Sequence, residues 1–248
     1  MTTHLDGMDE NALAAWTGAP RVALFDEVAS TMDEAHRLGG EGAPAGTVVV
    51  AGSQTAGRGR FGRRWVSDAA QGLWMTVLER DVDGAAFAVL SLRIGIALAP
   101  VLDAFAGAPV SIKWPNDLIV LRRKLAGILV EARWRGTTPE WVAVGIGVNI
   151  VAPGGQPVSA GLVPGTRRSE VLRALVAPLR AACRGRGELT PDEMVAFSAR
   201  DAARGERLIE PAAGRARGIT ANGALMVETD AGTELFTRGS LTFAAEAG

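Results

Sequence analysis

Between residues 110 and 150 four apolar segments follow one another almost without interruption: VSIKW (110–114), LIVL (118–121), AGILVEARW (126–134) and WVAVGIGVNI (141–150). The stretches between them are three, four and six residues long. A crossover between parallel strands takes about a dozen residues or more. Consecutive segments here must therefore turn back on themselves, and the spacing predicts an antiparallel or mixed sheet rather than a series of βαβ units.

The rest of the chain adds to that sheet and covers it. RVALFDEV (21–28), GTVVVAG (46–52) and GLWMTVLE (72–79) read as further strands. STMDEAHRLGG (30–40) reads as a helix capped by Ser30 or Thr31. Glu34 stands three after Thr31, as in a capping box, and Gly39-Gly40 ends the helix. Residues 87–105 are apolar nearly all round, which predicts a buried helix behind the sheet with Pro100 placing a kink near its middle. Residues 167–185 form another helix stopped by Gly185, and 190–201 a shorter one with Thr190 as cap and Pro191 at its first position. After about residue 203 the texture changes to short alternating runs broken by glycines, with Asn222-Gly223 as a hairpin signal. The expected organisation is an arm over 1–20, an α/β domain over 21–202 and a small β-barrel or meander over 203–248.

Composition narrows the function classes. At 48% hydrophobic and 21% charged the chain is an ordinary globular sequence, and a net charge of −1 gives no global field toward nucleic acid or membrane. One cysteine, Cys183, rules out internal disulfides and CxxC zinc sites. Only His4 and His36 are available for histidine chemistry. The N-terminus lacks the apolar run of a signal peptide, and no stretch of roughly 18 uninterrupted apolar residues occurs. A cytoplasmic protein with no membrane span is expected.

Anion binding must then come from a local cluster, and AGRGRFGRRW (56–65) is one. Its Gly57-x-Gly59-x-x-Gly62 matches a dinucleotide fingerprint on paper, but SQTA separates it from the preceding strand and no helical stripe follows. Arg58, Arg60, Arg63 and Arg64 have no acid near them from residue 42 to 67. A solvated basic loop, a nucleic-acid contact and a loop closing over a small polyphosphate all fit this stretch. The last draws on glycine's freedom and on arginine forks that grip phosphate and carboxylate oxygens in pairs. Arg58 and Arg60, two apart, would point to the same side of an extended segment. Trp65 offers an aromatic face to cover a base or pack the loop shut.

Three companions bear on the choice. KWPNDL (113–118) ends a strand in a turn and offers a cation, Lys113, and a magnesium-ligand type, Asp117, at one strand end. KLAGILVE (124–131) sets Lys124 directly before a small apolar strand. GIGVN (145–149) closes the sheet with two glycines and a polar residue. Alone, each is an ordinary turn, surface lysine or tightly packed strand.

Taken together, STMDEA, QTAGRGRFGRRW, KWPNDL, KLAGILVE and GIGVN occur in the order and at about the spacings of the biotin protein ligases, and the C-terminal segment resembles that family's small barrel. The resemblance covers roughly residues 21–248. It implies a mixed α/β domain related to class II aminoacyl-tRNA synthetases, with an SH3-like C-terminal barrel. It further implies an ATP-dependent ligase that makes biotinyl-5'-AMP from biotin and Mg2+-ATP, then passes biotin to one lysine of a biotin carboxyl carrier domain of an acyl-CoA carboxylase. By motif, Ser30, Thr31 and Gln54 would bond the biotin ureido ring. Arg58, Gly59 and Arg60 would lie on the loop that orders over biotin and the adenylate. Lys124 would meet the biotin carboxylate and the α-phosphate, with Arg58 and Arg60 as further catalytic cations. Gly127 lets biotin lie against its strand. Trp65, Lys113, Asn116 and Asn149 would serve the nucleotide, and Asp117 its magnesium. Met32 stands where the family often has asparagine, so no polar role falls to it.

Some members of that family carry an N-terminal DNA-binding module, whereas only about 20 residues precede the first core strand here, so no DNA partner is expected. The family includes monomers and homodimers, and the sequence does not choose between them. A lipoate or octanoyl ligase of the same fold, and a non-catalytic nucleic-acid-binding module, remain alternatives at this point.

Overall fold

A computed structural model of the chain describes residues 4–154 and 158–244. Its centre is a seven-stranded sheet. The strands are β1 (Val22–Val28), β2 (Thr47–Gln54), β3 (Gly72–Glu79), β4 (Ser111–Lys113), β5 (Asp117–Val120), β6 (Arg123–Arg135) and β7 (Thr138–Asn149). Their order across the sheet is β1-β2-β3-β7-β6-β5-β4, with β1 and β2 parallel and every other neighbouring pair antiparallel. The sheet is thus mixed, as the short connections require. The parallel pair is the exception, and it is joined through α2 (Thr31–Gly40), a crossover of adequate length.

Side-chain alternation makes the sheet's two faces different. On one face Val48 and Val50 of β2, Leu73, Met75 and Val77 of β3, and Val142, Val144, Ile146 and Val148 of β7 belong to the main core. That core is completed by α3 (Leu90–Ala106) and α4 (Arg168–Cys183). On the other face the middle of β7 presents only Ala143, Gly145 and Gly147, and the smaller cluster of Met32, Ala35 and Leu38 from α2 packs near its Ala143 end together with Trp141. Large residues therefore fill one side of β7 while small ones leave space on the other.

α3 runs through Pro100 as one helix. With the 3-10 turn before it, the stretch Gly84–Ala106 is long and apolar enough to cross a membrane by length and composition alone. Its Leu90, Ile94, Leu98 and Leu102 are instead buried in the core. Arg93, 3% exposed, is held there by Glu193 of α5 (Pro191–Arg200), Nε to Oε1 at 2.6 Å and Nη2 to Oε2 at 3.1 Å, and donates to the Glu188 carbonyl at 2.8 Å. Glu193 also completes the capping box with Thr190. Burial alone would lift the Glu193 carboxyl, but the Arg93 and Thr190 bonds hold it below its ordinary value.

Two local expectations are corrected. Residues 1–20 are not a bare arm, since Glu10–Thr17 form the helix α1, capped by the Asp9 carboxylate on Ala12 N and anchored by buried Leu13. The start of α2 carries no capping box, because Ser30 caps it alone, on Met32 N, and Glu34 pairs with Arg37 instead. A second sheet follows α5, with β8 (Arg207–Glu210), β9 (Gly214–Ile219), β10 (Leu225–Thr229), β11 (Gly232–Phe236) and β12 (Thr242–Phe243) in the order β11-β10-β9-β8-β12. The hairpin at Asn222-Gly223 joins β9 to β10 as its sequence indicates, and its Gly223 carbonyl accepts from buried Trp114 Nε1 at 2.9 Å.

Arg93→Ala is expected to cost about 3–5 kcal/mol in chemical denaturation, because it leaves Glu193 without its partner. Asp201 is the opposite case. It lies between α5 and β8, its Oδ2 is buried without a partner among the described residues, and burial raises its carboxyl above the ordinary value of 3.8. A raised carboxyl costs stability when ionised, fully so at neutral pH, and the cost fades as pH falls toward 3.8. Asp201→Asn should therefore stabilise the protein at pH 7, with the gain shrinking in thermal melts taken at progressively lower pH.

Candidate functional site

The open face of β7 becomes a cavity of about 450 Å³. Its floor is a glycine pair: Gly127 of β6 lies directly opposite Gly147 of β7. The indole of Trp65 rests across both. A methyl group on Gly127 would stand 2.8 Å from Trp65 Cζ3, and one on Gly147 would stand 2.6 Å from its Nε1. Glycine is needed at both positions because only a bare backbone lets a ring lie that close. The Trp65 Nε1 is buried with no acceptor among the described residues. A buried donor left unpaired is costly, and a polar ligand or a shift of the ring would relieve it.

One end of the cavity is neutral and rich in hydrogen-bonding groups. Gln54 Oε1 accepts from Thr31 N at 2.8 Å and from Thr31 Oγ1 at 3.2 Å. Thr76 Oγ1 donates to Thr31 Oγ1 at 2.8 Å, and Gln54 Nε2 donates to Ser67 Oγ at 2.7 Å. Ser30 lies beside them at the start of α2. The chain of short polar side chains ties α2, β2 and β3 to the segment just after Trp65.

The other end is charged. The tight β4–β5 turn brings Lys113 opposite Asp117 and turns Asn116 back onto β6, where its Nδ2 donates to the Ile128 carbonyl at 2.9 Å. Lys124 Nζ is 2.8 Å from Asp117 Oδ1 and 4.8 Å from the centre of the Trp65 ring. The Lys124 main chain is fixed independently, its N–H donating to Val158 O and its carbonyl accepting from Ala160 N.

The segment Gly57 to Trp65 straps the cavity from side to side. Arg58 reaches Asp33 of α2 at 2.7 Å and Glu131 of β6 at 3.5 Å. Arg60 Nη1 donates to Asn116 Oδ1 at 3.4 Å, and Arg63 Nη2 donates to Ser240 Oγ beside the second sheet. Arg58 and Arg60 therefore do not share a side as an extended strip would have them. A 3-10 turn over Arg60–Gly62 reverses the chain, with Gly62 at φ +71°, and Arg58 pairs back with Arg64. Burial pushes the Arg60 guanidinium below its ordinary value, with Asp117 opposing and Arg63 adding to the shift. The His36 hydrogen bond, with Arg58 as a lesser cause, holds the Glu131 carboxyl low despite burial.

Ser30, Thr31, Gln54, Arg58, Gly59, Arg60, Trp65, Lys113, Asn116, Asp117, Lys124 and Gly127 all line this one cavity. Asn149 is not among its lining. It is 4% exposed and donates from Nδ2 to the Lys124 carbonyl at 3.2 Å, so it supports the strand end from which Lys124 projects. Sequence reasoning missed Thr76, Gly147 and the segment Gly239 to Thr242, which also line it. The large–small alternation of VAVGIGV could have revealed Gly147, whereas nothing in the local sequence announces the others. Among the described residues no group of three or more His, Cys, Asp or Glu side chains could hold a metal ion.

Comparison with known proteins gives a consistent neighbourhood. The model of the biotin/lipoate A/B protein ligase family matches residues 24–149. A Bacillus spizizenii protein named bifunctional ligase/repressor BirA is 40% identical over 126 residues, covering 50% of this chain and 39% of that protein. A Paracoccus denitrificans biotin–[acetyl-CoA-carboxylase] ligase is 41% identical over 138 residues, covering 54% of this chain and 57% of that protein. The chain thus matches well under two thirds of the length of either relative. Among solved structures, the Aquifex aeolicus biotin protein ligase in complex with biotin and ATP superposes with a TM-score of 0.70 at 24% identity, over 90% of this chain and 97% of that one. A Leishmania major biotin protein ligase in complex with biotinyl-5-AMP does so with a TM-score of 0.61 at 26% identity, over 88% of this chain and 98% of that one.

Because the floor accepts the ring only over bare backbone, Gly147→Ala should lift Trp65 from its seat. Faster tryptic cleavage between Arg58 and Arg64, with the cooperative thermal transition retained, is the expected result.

Proposed function

The chain belongs to the biotin/lipoate A/B protein ligase family, and from that premise we propose that it activates biotin with ATP as biotinyl-5'-AMP and transfers the biotinyl group to a lysine of a carboxylase carrier domain. The observation that carries this reading is the polarity of the cavity over β7, with a neutral hydrogen-bonding end at Thr31 and Gln54 and a charged end at Lys124, Asp117 and Arg60. Biotin has the matching shape, a ring bearing a polar ureido group at one end and a carboxylate at the other. Ser30, Thr31 and Gln54 take the ureido group, and Gly127 leaves room for the ring once the Trp65 indole that covers it shifts aside.

Activation joins two anions. The biotin carboxylate attacks the α-phosphorus of ATP, a mixed anhydride forms, and pyrophosphate leaves with the electron pair of the broken P–O bond. Cations held in place before reaction lower the barrier to such a step. Lys124, oriented by Asp117, and Arg60, partly desolvated, are the groups at hand, with Arg58 on the loop's near side. Lys113 and Asn116 flank the nucleotide side, with Trp65 as a face for its base. Asn149 acts through Lys124 by holding that residue's main chain. Mg2+ fits as an ion carried by the ATP phosphates, since one carboxylate plus substrate oxygens is an ordinary magnesium set. Asp117 would be that carboxylate, and the ion would offset phosphate charge.

In the second step the neutral amine of a carrier lysine attacks the acyl carbonyl, an amide forms and AMP departs. The adenylate is sensitive to water, so a strap over the cavity has a direct use. The boundary near residue 203 fits a small C-terminal unit of the SH3-like kind, and the α/β part fits a class II synthetase-like domain. Glu210 and the segment from Gly239 to Thr242 would let the C-terminal unit contribute one wall of the same site.

Incubation with labelled biotin and a purified carrier domain tests the reading. Label should appear on the carrier only when ATP and magnesium are both present. Its absence, or label accepted from octanoate or lipoate in place of biotin, would overturn the assignment. Lys124→Ala should cut biotin-dependent pyrophosphate exchange by about 10²-fold or more while the fold survives, and near-normal exchange would remove Lys124 from its role.

A further inference from the structure

His36, one of the two histidines in the chain, lies outside the cavity lining but inside a connected set of contacts that ends on the strap. Trp141 Nε1 donates to His36 Nδ1 at 3.0 Å. That nitrogen must carry a lone pair, so the proton of the neutral ring is on Nε2 and faces Glu131 Oε2 at 3.2 Å. Glu131 in turn meets Arg58 Nη2 at 3.5 Å, while Asp33 takes the guanidinium's other nitrogen at 2.7 Å. Trp141 is itself fixed. A methyl group on Gly39 would stand 2.8 Å from its ring, and Arg80 lies over the ring at 5.7 Å while donating to the Gly39 carbonyl at 2.8 Å. The direction of support runs from a packed indole, through an imidazole acting as acceptor on one side and donor on the other, to a carboxylate that receives a loop arginine.

We propose that His36 and Glu131 are positioning residues that latch the Gly57–Trp65 strap through Arg58, and so set how tightly the acyl acid is retained. The part concerning acid retention rests on the biotin-ligase reading, whereas the latch does not. Neither residue touches the reacting atoms. The imidazole's task is to present one acceptor and one donor in fixed directions, and a glutamine amide can do the same: its oxygen accepts from Trp141 and its nitrogen donates to Glu131. Alanine can do neither.

The test compares His36→Ala, His36→Gln and Glu131→Gln, each in the natural background and in Arg58→Ala. The rate of tryptic cleavage between Arg60 and Arg64 and the dissociation constant of biotin are the readouts. His36→Ala and Glu131→Gln should speed cleavage and weaken biotin by about threefold to fivefold, the loss expected of one partly exposed charge pair. His36→Gln should stay within about twofold of the natural protein, and all three changes should have little further effect once Arg58 is alanine. Equal losses in both backgrounds would overturn the latch, because the residues would then act on the fold and not through Arg58. So would a His36→Gln variant as impaired as His36→Ala, or no effect from any of the changes. If the natural protein binds no biotin, the ligase reading fails on that result alone, and the cleavage rates still decide the latch.

Discussion

The site depends on a packing contact in which an indole lies close against two strands that have no side chains beneath it. Gly127 and Gly147 are register partners on adjacent strands, and Trp65 covers both. Strand alternation is what makes this possible. Valines and isoleucine at every second position of β7 tie the sheet to α3 and α4. The positions between them are free to be small, so one strand can serve the core with one face and the site with the other. Lys124 lies over the same indole, and Arg58, Arg60 and Arg63 hold the segment that carries it. Removing the floor would disturb both the ring and the strap.

Electrostatics in this protein are local. A chain with a net charge of −1 has no field to draw anions from a distance. Its arginine loop is not unopposed, however. Asp33 and Glu131 receive Arg58, and Asp117 lies near Arg60 while pairing with Lys124. The cationic groups are thus held in set positions before any ligand arrives, which is the condition under which fixed charges aid a reaction between anions. The neutral end, built from Thr31, Gln54, Thr76 and Ser67, is arranged by mutual hydrogen bonds in the same way.

Much of this was legible in the sequence, for identifiable reasons. Connections of a few residues dictate antiparallel neighbours, so the sheet from β4 to β7 could be read directly. Ser30, Lys124 and the glycine–arginine loop carry chemistry in residue type and spacing, and they meet in one cavity. What escaped was decided by contacts distant in sequence. The helix α1 has little apolar pattern of its own and is fixed by Leu13 in the core. The α2 start looked like a capping box, but Thr31 faces Gln54 and Thr76, so Ser30 caps alone. Asn149 reads as a polar residue at a strand end, yet it is buried on the Lys124 carbonyl. The divergence of Arg58 and Arg60 follows from a reversal at Gly62 that no two-residue periodicity contains.

On the proposed reading, one glycine-floored cavity, strapped by the arginine loop, holds biotin and ATP together. Amide hydrogen exchange over residues 57–65 addresses it most directly, measured on the protein alone, with biotin, and with biotin plus Mg2+-ATP. Stepwise protection of this segment, greatest when both substrates are present, is the expected result. Exchange over 57–65 that is unchanged by biotin and ATP would contradict it.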